Sequence, residues 1–416
     1  MRIPSLLLLG GLAACARGEA KSSLGRVVID TVGGKPRTMT EVPVGWVDTN
    51  GWKLVEAARI VGGTDRPGDL IEPQSVALAA DGSIYVSDKS PAVIKEYSPT
   101  GTFVRSIGRE GQGPGEFVVG FIAIHGANLF LHDPRNSRTS VFDTAGIFQR
   151  SWPSSCCYWS TLAIDSAGNV GVPGPPPHDQ QQGDKNPWQR TTRWFRADST
   201  QVDTTLFPAG ATEKFWTVKQ GKRGMMMTSV PFAPGLQFGL LPDRRVVTGF
   251  SDHYQLAVTT RNGADTVSLF GRSWTPAEVP EAIRHAEIEG MVASNKSWID
   301  ETVLRNAFVY SDVPATAPAF EWMGTDGRGD LWIRTPVPGD STRTLFDVFD
   351  PQFKWLGQVS GSRYLRRWGM GIAGDRIYGF GEDDEGNPVV VVYGVQRNEA
   401  ERPNDDRPRA VPLPNP

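Results

Sequence analysis

An all-β, six-bladed propeller with four-stranded blades is the fold predicted for this chain of 416 residues. Three observations lead there. Gly (46) and Pro (32) are frequent beside 13 Trp and 19 Phe, a composition suited to many short strands joined by turns. One segment reads as four runs of β-formers separated by turn signals, and degraded copies of it recur, at about 40–50 residues (the size of one blade) where uninterrupted and further apart at two intervals that carry insertions.

The clearest copy begins Pro73-Gln74-Ser75-Val76-Ala77-Leu78, turns at Asp81-Gly82, and continues Ser83-Ile84-Tyr85-Val86-Ser87-Asp88. Val93-Ile94-Lys95-Glu96-Tyr97 and Gly101-Thr102-Phe103-Val104-Arg105-Ser106-Ile107-Gly108 follow, and Gly111-Gln112-Gly113-Pro114-Gly115-Glu116-Phe117 leads onward. Such a unit cannot bury both faces alone, so its copies must stack around an axis. The second copy runs from Phe121 to Gln149 and the third from Thr161 through Trp194. The fourth holds Phe238 to Leu269, the fifth Glu321 to Gly357, and the sixth Met370 to Tyr393.

The sixth copy lacks a fourth strand, whereas Lys53-Leu54-Val55-Glu56-Ala57-Ala58-Arg59-Ile60-Val61 is spare at the other end. The stretch Arg59 to Leu70 parallels Arg105 to Phe117, so the N-terminal strand is expected to close the last blade and remove its open edge. Residues 27–50 read as extra strands or a strap. The organisation is then 1–14 signal peptide, 15–51 lipidated cysteine, linker and extra strands, 52–396 propeller, and 397–416 a Pro-, Asp- and Arg-rich disordered tail.

The repeat resembles the NHL repeat closely, and residues 314–393 resemble bacterial proteins described as six-bladed propellers. At the N-terminus Arg2, the apolar residues from Leu6 to Leu9, and Leu12-Ala13-Ala14-Cys15 form a secretory signal. Its end resembles the lipobox of bacterial lipoproteins, which implies acylation of Cys15; an ordinary signal peptide with a chance cysteine is the alternative. Ala16 rather than aspartate follows, which implies the outer membrane where the organism has one. The expected address is the cell envelope, with membrane attachment through the lipid.

A net charge of −3 lacks the basic excess of a nucleic-acid binder, so no nucleic-acid partner is expected. The long links are the second-to-third-strand loop of blade three (173–188), the connector 208–234 and the connector 273–314. All three belong on one face of the propeller. Thr275-Pro276-Ala277-Glu278 reads as a capping box that opens a helical insert between blades four and five, with a second helix over 298–307. Aromatic and basic residues gather in or beside these loops on the same face, and Trp159, Trp188, Trp216, Arg363 and Arg367 are the expected ligand-binding set. The alternative is a lid whose rings pack against the blades.

The function expected is that of an envelope-anchored binding or scaffold protein for a glycan, a peptide or an envelope protein, with no cofactor. The alternative is a metal-dependent hydrolase or lyase at the mouth of the central channel, since some NHL-type propellers are zinc lyases. His132, Asp133, Asp252 and His253 are the only ligands offered for it, and an aspartate ending a second strand is usually structural in such repeats. Cys156 and Cys157 either form a strained ring or stay reduced beside Tyr158 and Trp159. Metabolic labelling with a palmitate analogue should mark the wild type and not Cys15→Ala; equal labelling of the two would contradict the anchor.

Overall fold

The computed structural model describes residues 25–46, 51–63, 66–154, 162–174, 190–208, 214–219, 224–340, 342–366 and 369–397. Six antiparallel four-stranded blades form a ring in chain order. The first strands of neighbouring blades touch at five of the six seams and so line the axis. Blade one is Pro73–Leu78, Ile84–Lys89, Ala92–Tyr97 and Phe103–Ile107. Blade two is Phe121–His125, Asn128–Asp133, Arg138–Asp143 and Phe148–Pro153. Blade three is Ala163–Ile164, Val170–Gly174, Thr191–Phe195 and Gln201–Leu206. Blade four is Leu236–Leu240, Val246–Phe250, Gln255–Thr259 and Thr266–Arg272. Blade five is Trp322–Thr325, Leu331–Thr335, Thr344–Phe349 and Trp355–Gly361.

Blade six takes Gly371–Ala373, Arg376–Glu382 and Pro388–Gln396 from the C-terminal end, and its outer strand is Lys53–Val61. Two further N-terminal strands precede that one, so the three are β1 (Arg26–Val32), β2 (Lys35–Val42) and β3 (Lys53–Val61). β3 pairs antiparallel with Pro388–Gln396 from Lys53↔Gln396 to Val61↔Val389, with a bulge between Glu56 and Ala58. The expected closure is therefore present.

β2 adds in parallel to the outer strand of blade four, and β1 pairs outside it. The chain then runs along blade five, where the amides of Val44, Gly45 and Trp46 donate to the Trp355 and Leu356 carbonyls. Trp46 Nε1 donates to the Gln358 carbonyl at 2.8 Å. The Trp46 and Trp52 rings lie 5.0 Å apart, and Trp52 lies 5.9 Å from Trp332. Residues 26–46 thus strap the rims of blades four and five, and β3 continues onto blade six.

The blades are joined by apolar layers. Phe117, Ile122 and Leu131 meet Ile94 and Tyr85 between blades one and two, and Leu256, Phe270 and Phe320 meet Ile333 and Phe349 between four and five. Polar staples supplement them. The carboxylate of Asp88 accepts from the amides of Ile71 and Glu72 and from Lys95 Nζ at 2.7–2.9 Å, with both side chains buried. Asp133 does the same for Val118 at 2.9 Å and for Asn136. Both aspartates hold the connector onto its blade, the structural role expected at the end of a second strand.

Between blades four and five the buried Asp347 accepts from Arg272, Tyr254 and Thr335 at 2.7–2.8 Å. The Arg272 guanidinium lies between the rings of Tyr254 and Trp355, 4.4 and 4.7 Å from their centroids. Burial, and then the Asp347 charge, push the Tyr254 phenol well above its ordinary range, so it remains a donor.

The insert differs from expectation at its start. The capping box does not form: residues 275–279 are not helical, Glu278 bridges Thr316, and α1 spans Glu281–Asn295 after Pro280. A proline disfavours helical backbone in the residue before it, so Pro280 keeps Val279 out of the helix. The second helix, α2 (Glu301–Ala307), begins three residues later than expected, where Asp300 accepts from the Thr302 and Val303 amides. The connector read as a loop carries a hairpin, Phe215–Lys219 with Met225–Ser229.

Replacing Asp347 by Ala should leave Arg272 a buried, unpaired charge and cost about 3–5 kcal/mol, read as a lower denaturation midpoint. A midpoint unchanged within error would show that the network contributes little.

Candidate functional site

Because each blade runs from axis to rim in chain order, its first and third turns open on one face. The second-to-third-strand loops and the blade connectors open on the other. The hairpin, α1 and α2 all belong to connectors and therefore share that second face. They have a core of their own: Trp216 and Val218 from the hairpin pack with Ile288, Val292, Leu304 and Phe308 from the helices.

Trp216 is buried within that core, with its ring 5.1 Å from Phe308 and its Nε1 donating to Asp312 Oδ2 at 2.9 Å. Lys214 Nζ lies 2.8 Å from the same carboxylate. The hydrogen bonds from Lys214 and then Trp216 hold the Asp312 carboxyl below its usual range. Arg363 lies elsewhere, in the connector from blade five to six, partly exposed and 3.6 Å from Glu56 on β3. Trp216 and Arg363 thus stand on different parts of the ring. Trp159, Trp188, Arg367, Cys15, Cys156 and Cys157 lie outside the described residues.

The residues offered for a metal are spread apart. His132 is fully buried, its Nδ1 3.1 Å from Ser154 Oγ and 3.3 Å from Thr139 Oγ1. Asp133 follows it on the same strand and so points to the opposite side, where backbone amides occupy it. Asp252 and His253 pair with each other at the surface. Among the described residues no three His, Cys, Asp or Glu side chains converge. The acidic run at residues 382–385 is a turn in which Asp383 accepts from the Glu385 and Asn387 amides.

Sequence reasoning missed a cavity on the face of short turns. A cleft of about 690 Å³ opens between blades six and one, within the range of ligand pockets. Its walls are the first turns of blades one, two and six, at residues 78–80, 124–126 and 373–376. The paired segments 55–57 and 394–396 complete it. Arg376 crosses it, with Nη1 donating to the Gly82 carbonyl at 3.0 Å. The signal in the sequence was slight: Ala79, Ala80, Gly126, Ala373 and Gly374 are small residues gathered at three turns that meet at the axis.

No family model matches the chain, and no curated protein matches it. Solved structures similar to it include a putative exported protein from Bacteroides fragilis, at 10% identity and a TM-score of 0.45, covering 87% of this chain and 99% of that one. A member of the duf4221 family from Bacteroides vulgatus has 13% identity and a TM-score of 0.42, covering 84% and 100%. A streptogramin B lyase has 8% identity and a TM-score of 0.39, covering 84% and 99%. At such scores they carry no statement about activity. Among the described residues no helix is long and apolar enough to cross a membrane.

Trp216→Ala should remove the central ring of the insert's core at a cost of about 3–5 kcal/mol to the insert. Hydrogen exchange in α2 and the hairpin should rise well above wild type; unchanged exchange would mean that the insert is held by other contacts.

Proposed function

We propose that this chain is a propeller of the bacterial cell envelope, anchored through a lipid on Cys15, that captures a protein partner with the insert on its connector face. The observation that carries the reading is the outer side of the hairpin. Side chains alternate along a strand, so Trp216 and Val218 turn inward while Phe215 turns out. Met225 and Met227 of the paired strand also turn out, and the three are 43%, 62% and 49% exposed. Trp298, Val303 and Val309 are exposed on the same insert.

Large apolar side chains gathered on one module, mounted on a rigid ring, are the makings of a protein-binding patch. Methionine adapts to a partner's shape and aromatic rings anchor it, which favours a protein or peptide over a glycan. The insert's private core keeps these side chains in place without a partner. Trp159, Trp188, Arg363 and Arg367, which the sequence offers for the same role, are proposed as further contributors to partner capture.

The test is the combined variant Phe215→Ser, Met225→Ser and Met227→Ser, compared with wild type in crosslinking capture from envelope membranes. Capture of the specific partner should fall at least about tenfold, since truncating central apolar anchors costs more than 1 kcal/mol each. The melting temperature should stay close to wild type, because these side chains are exposed. Undiminished capture would refute the assignment.

A further inference from the structure

We infer that β1 is the edge through which two copies of this chain pair, antiparallel, into a dimer. β1 is the last strand of the six-stranded sheet built on blade four, with β2 as its only neighbour among the described residues. Arg26-Val27-Val28-Ile29-Asp30-Thr31-Val32 has strong β-formers and no proline or lysine to discourage pairing. Ile29 is 71% exposed, and Val28 and Val32 are also exposed. None of these side chains is buried, so β1 stands clear of the blade on both faces of the sheet.

The hairpin geometry shows which backbone groups are free to pair. Val32 and Lys35 close a two-residue loop of Gly33 and Gly34, both at positive φ, so they form a hydrogen-bonded pair. Bonded and non-bonded pairs alternate from there. The N–H and C=O of Val28 and Asp30 therefore face β2, and those of Val27, Ile29 and Thr31 face outward.

One register satisfies both backbone and charge. With Val28 opposite Val28 of the second copy, Val27 stands opposite Ile29 of the second copy and the two exchange both hydrogen bonds. The same pair recurs across the two-fold axis, and each covers an exposed Ile29. Arg26 then stands opposite Asp30 of the second copy in a non-bonded pair, where side chains approach closely. Within each hairpin Arg26 already pairs with Glu41 at 2.7 Å, and Asp30 with Arg37. The dimer joins them into a row of alternating sign: Glu41, Arg26, then Asp30 and Arg37 of the second copy. A shift by two residues would set Arg26 opposite Val32 and lose both charge pairs.

The test is sedimentation of the full chain in mild detergent up to ~100 µM, since a small interface of this kind belongs to the transient class. The wild type should dimerise. Ile29→Lys, which puts a solvated charge on an exposed edge position, should sediment as a monomer with an unchanged melting temperature. The register is tested by mild oxidation: Val28→Cys should form a covalent dimer, and Val32→Cys should stay at the background of the wild type. A monomeric wild type, a dimer indifferent to Ile29→Lys, or equal crosslinking by the two cysteine variants would each overturn the proposal.

Discussion

A sheet ring built from one chain has two loose ends, and here a single pairing joins them. β3 supplies the outer strand of blade six, bonded along its length to Pro388–Gln396, whose central residues Val389 to Tyr393 are buried. Without that pairing, blade six would expose the backbone edge of Val389 to Tyr393, a run of apolar β-formers and a template for aggregation. The apolar layers on both sides of blade six would also lose their outer walls, since Leu54 belongs to the layer shared with blade five and Ile60 to the layer shared with blade one.

The closure also organises what lies upstream. A chain that must enter blade six from outside has to travel along the rim, and it uses the passage to strap blades four and five on its way. The seams themselves are not chemically uniform. The seam between blades four and five has an apolar layer and the Arg272–Asp347 pair, whereas Arg244 reaches from blade four to Asp165 and Asp203 of blade three and lies over the Trp194 ring. Charge pairs at seams fix which blade faces meet, while burial supplies most of the stabilisation.

The ring was legible because the repeat carries its own punctuation. Asp-Gly turns, alternating apolar runs and the Gly-Pro-Gly-Glu connector are local signals, and the parallel between Arg59 to Leu70 and Arg105 to Phe117 revealed even the closing strand. What escaped was set by distance or by competing local rules. Asp347 meets Arg272 across 75 residues, which no pattern announces. The pattern around Thr275 suggested a cap, but Pro280 overrides it. Trp216 was read as part of a binding surface, although Phe215 beside it is the residue that alternation turns outward. The cleft between blades six and one is made by what is missing, small residues at turns far apart in the chain.

The closing pair is tested most directly by native-state hydrogen exchange. If β3 is an integral strand, the amides of β3 that face Pro388–Gln396 should exchange only through global unfolding, at the same free energy as Val391 and Tyr393, whose backbone groups face Arg376–Glu382 instead. Their protection should respond to denaturant with the same slope. Exchange of the β3 amides orders of magnitude faster, while Val391 and Tyr393 stay protected, would show that the ring holds without them and would contradict the account.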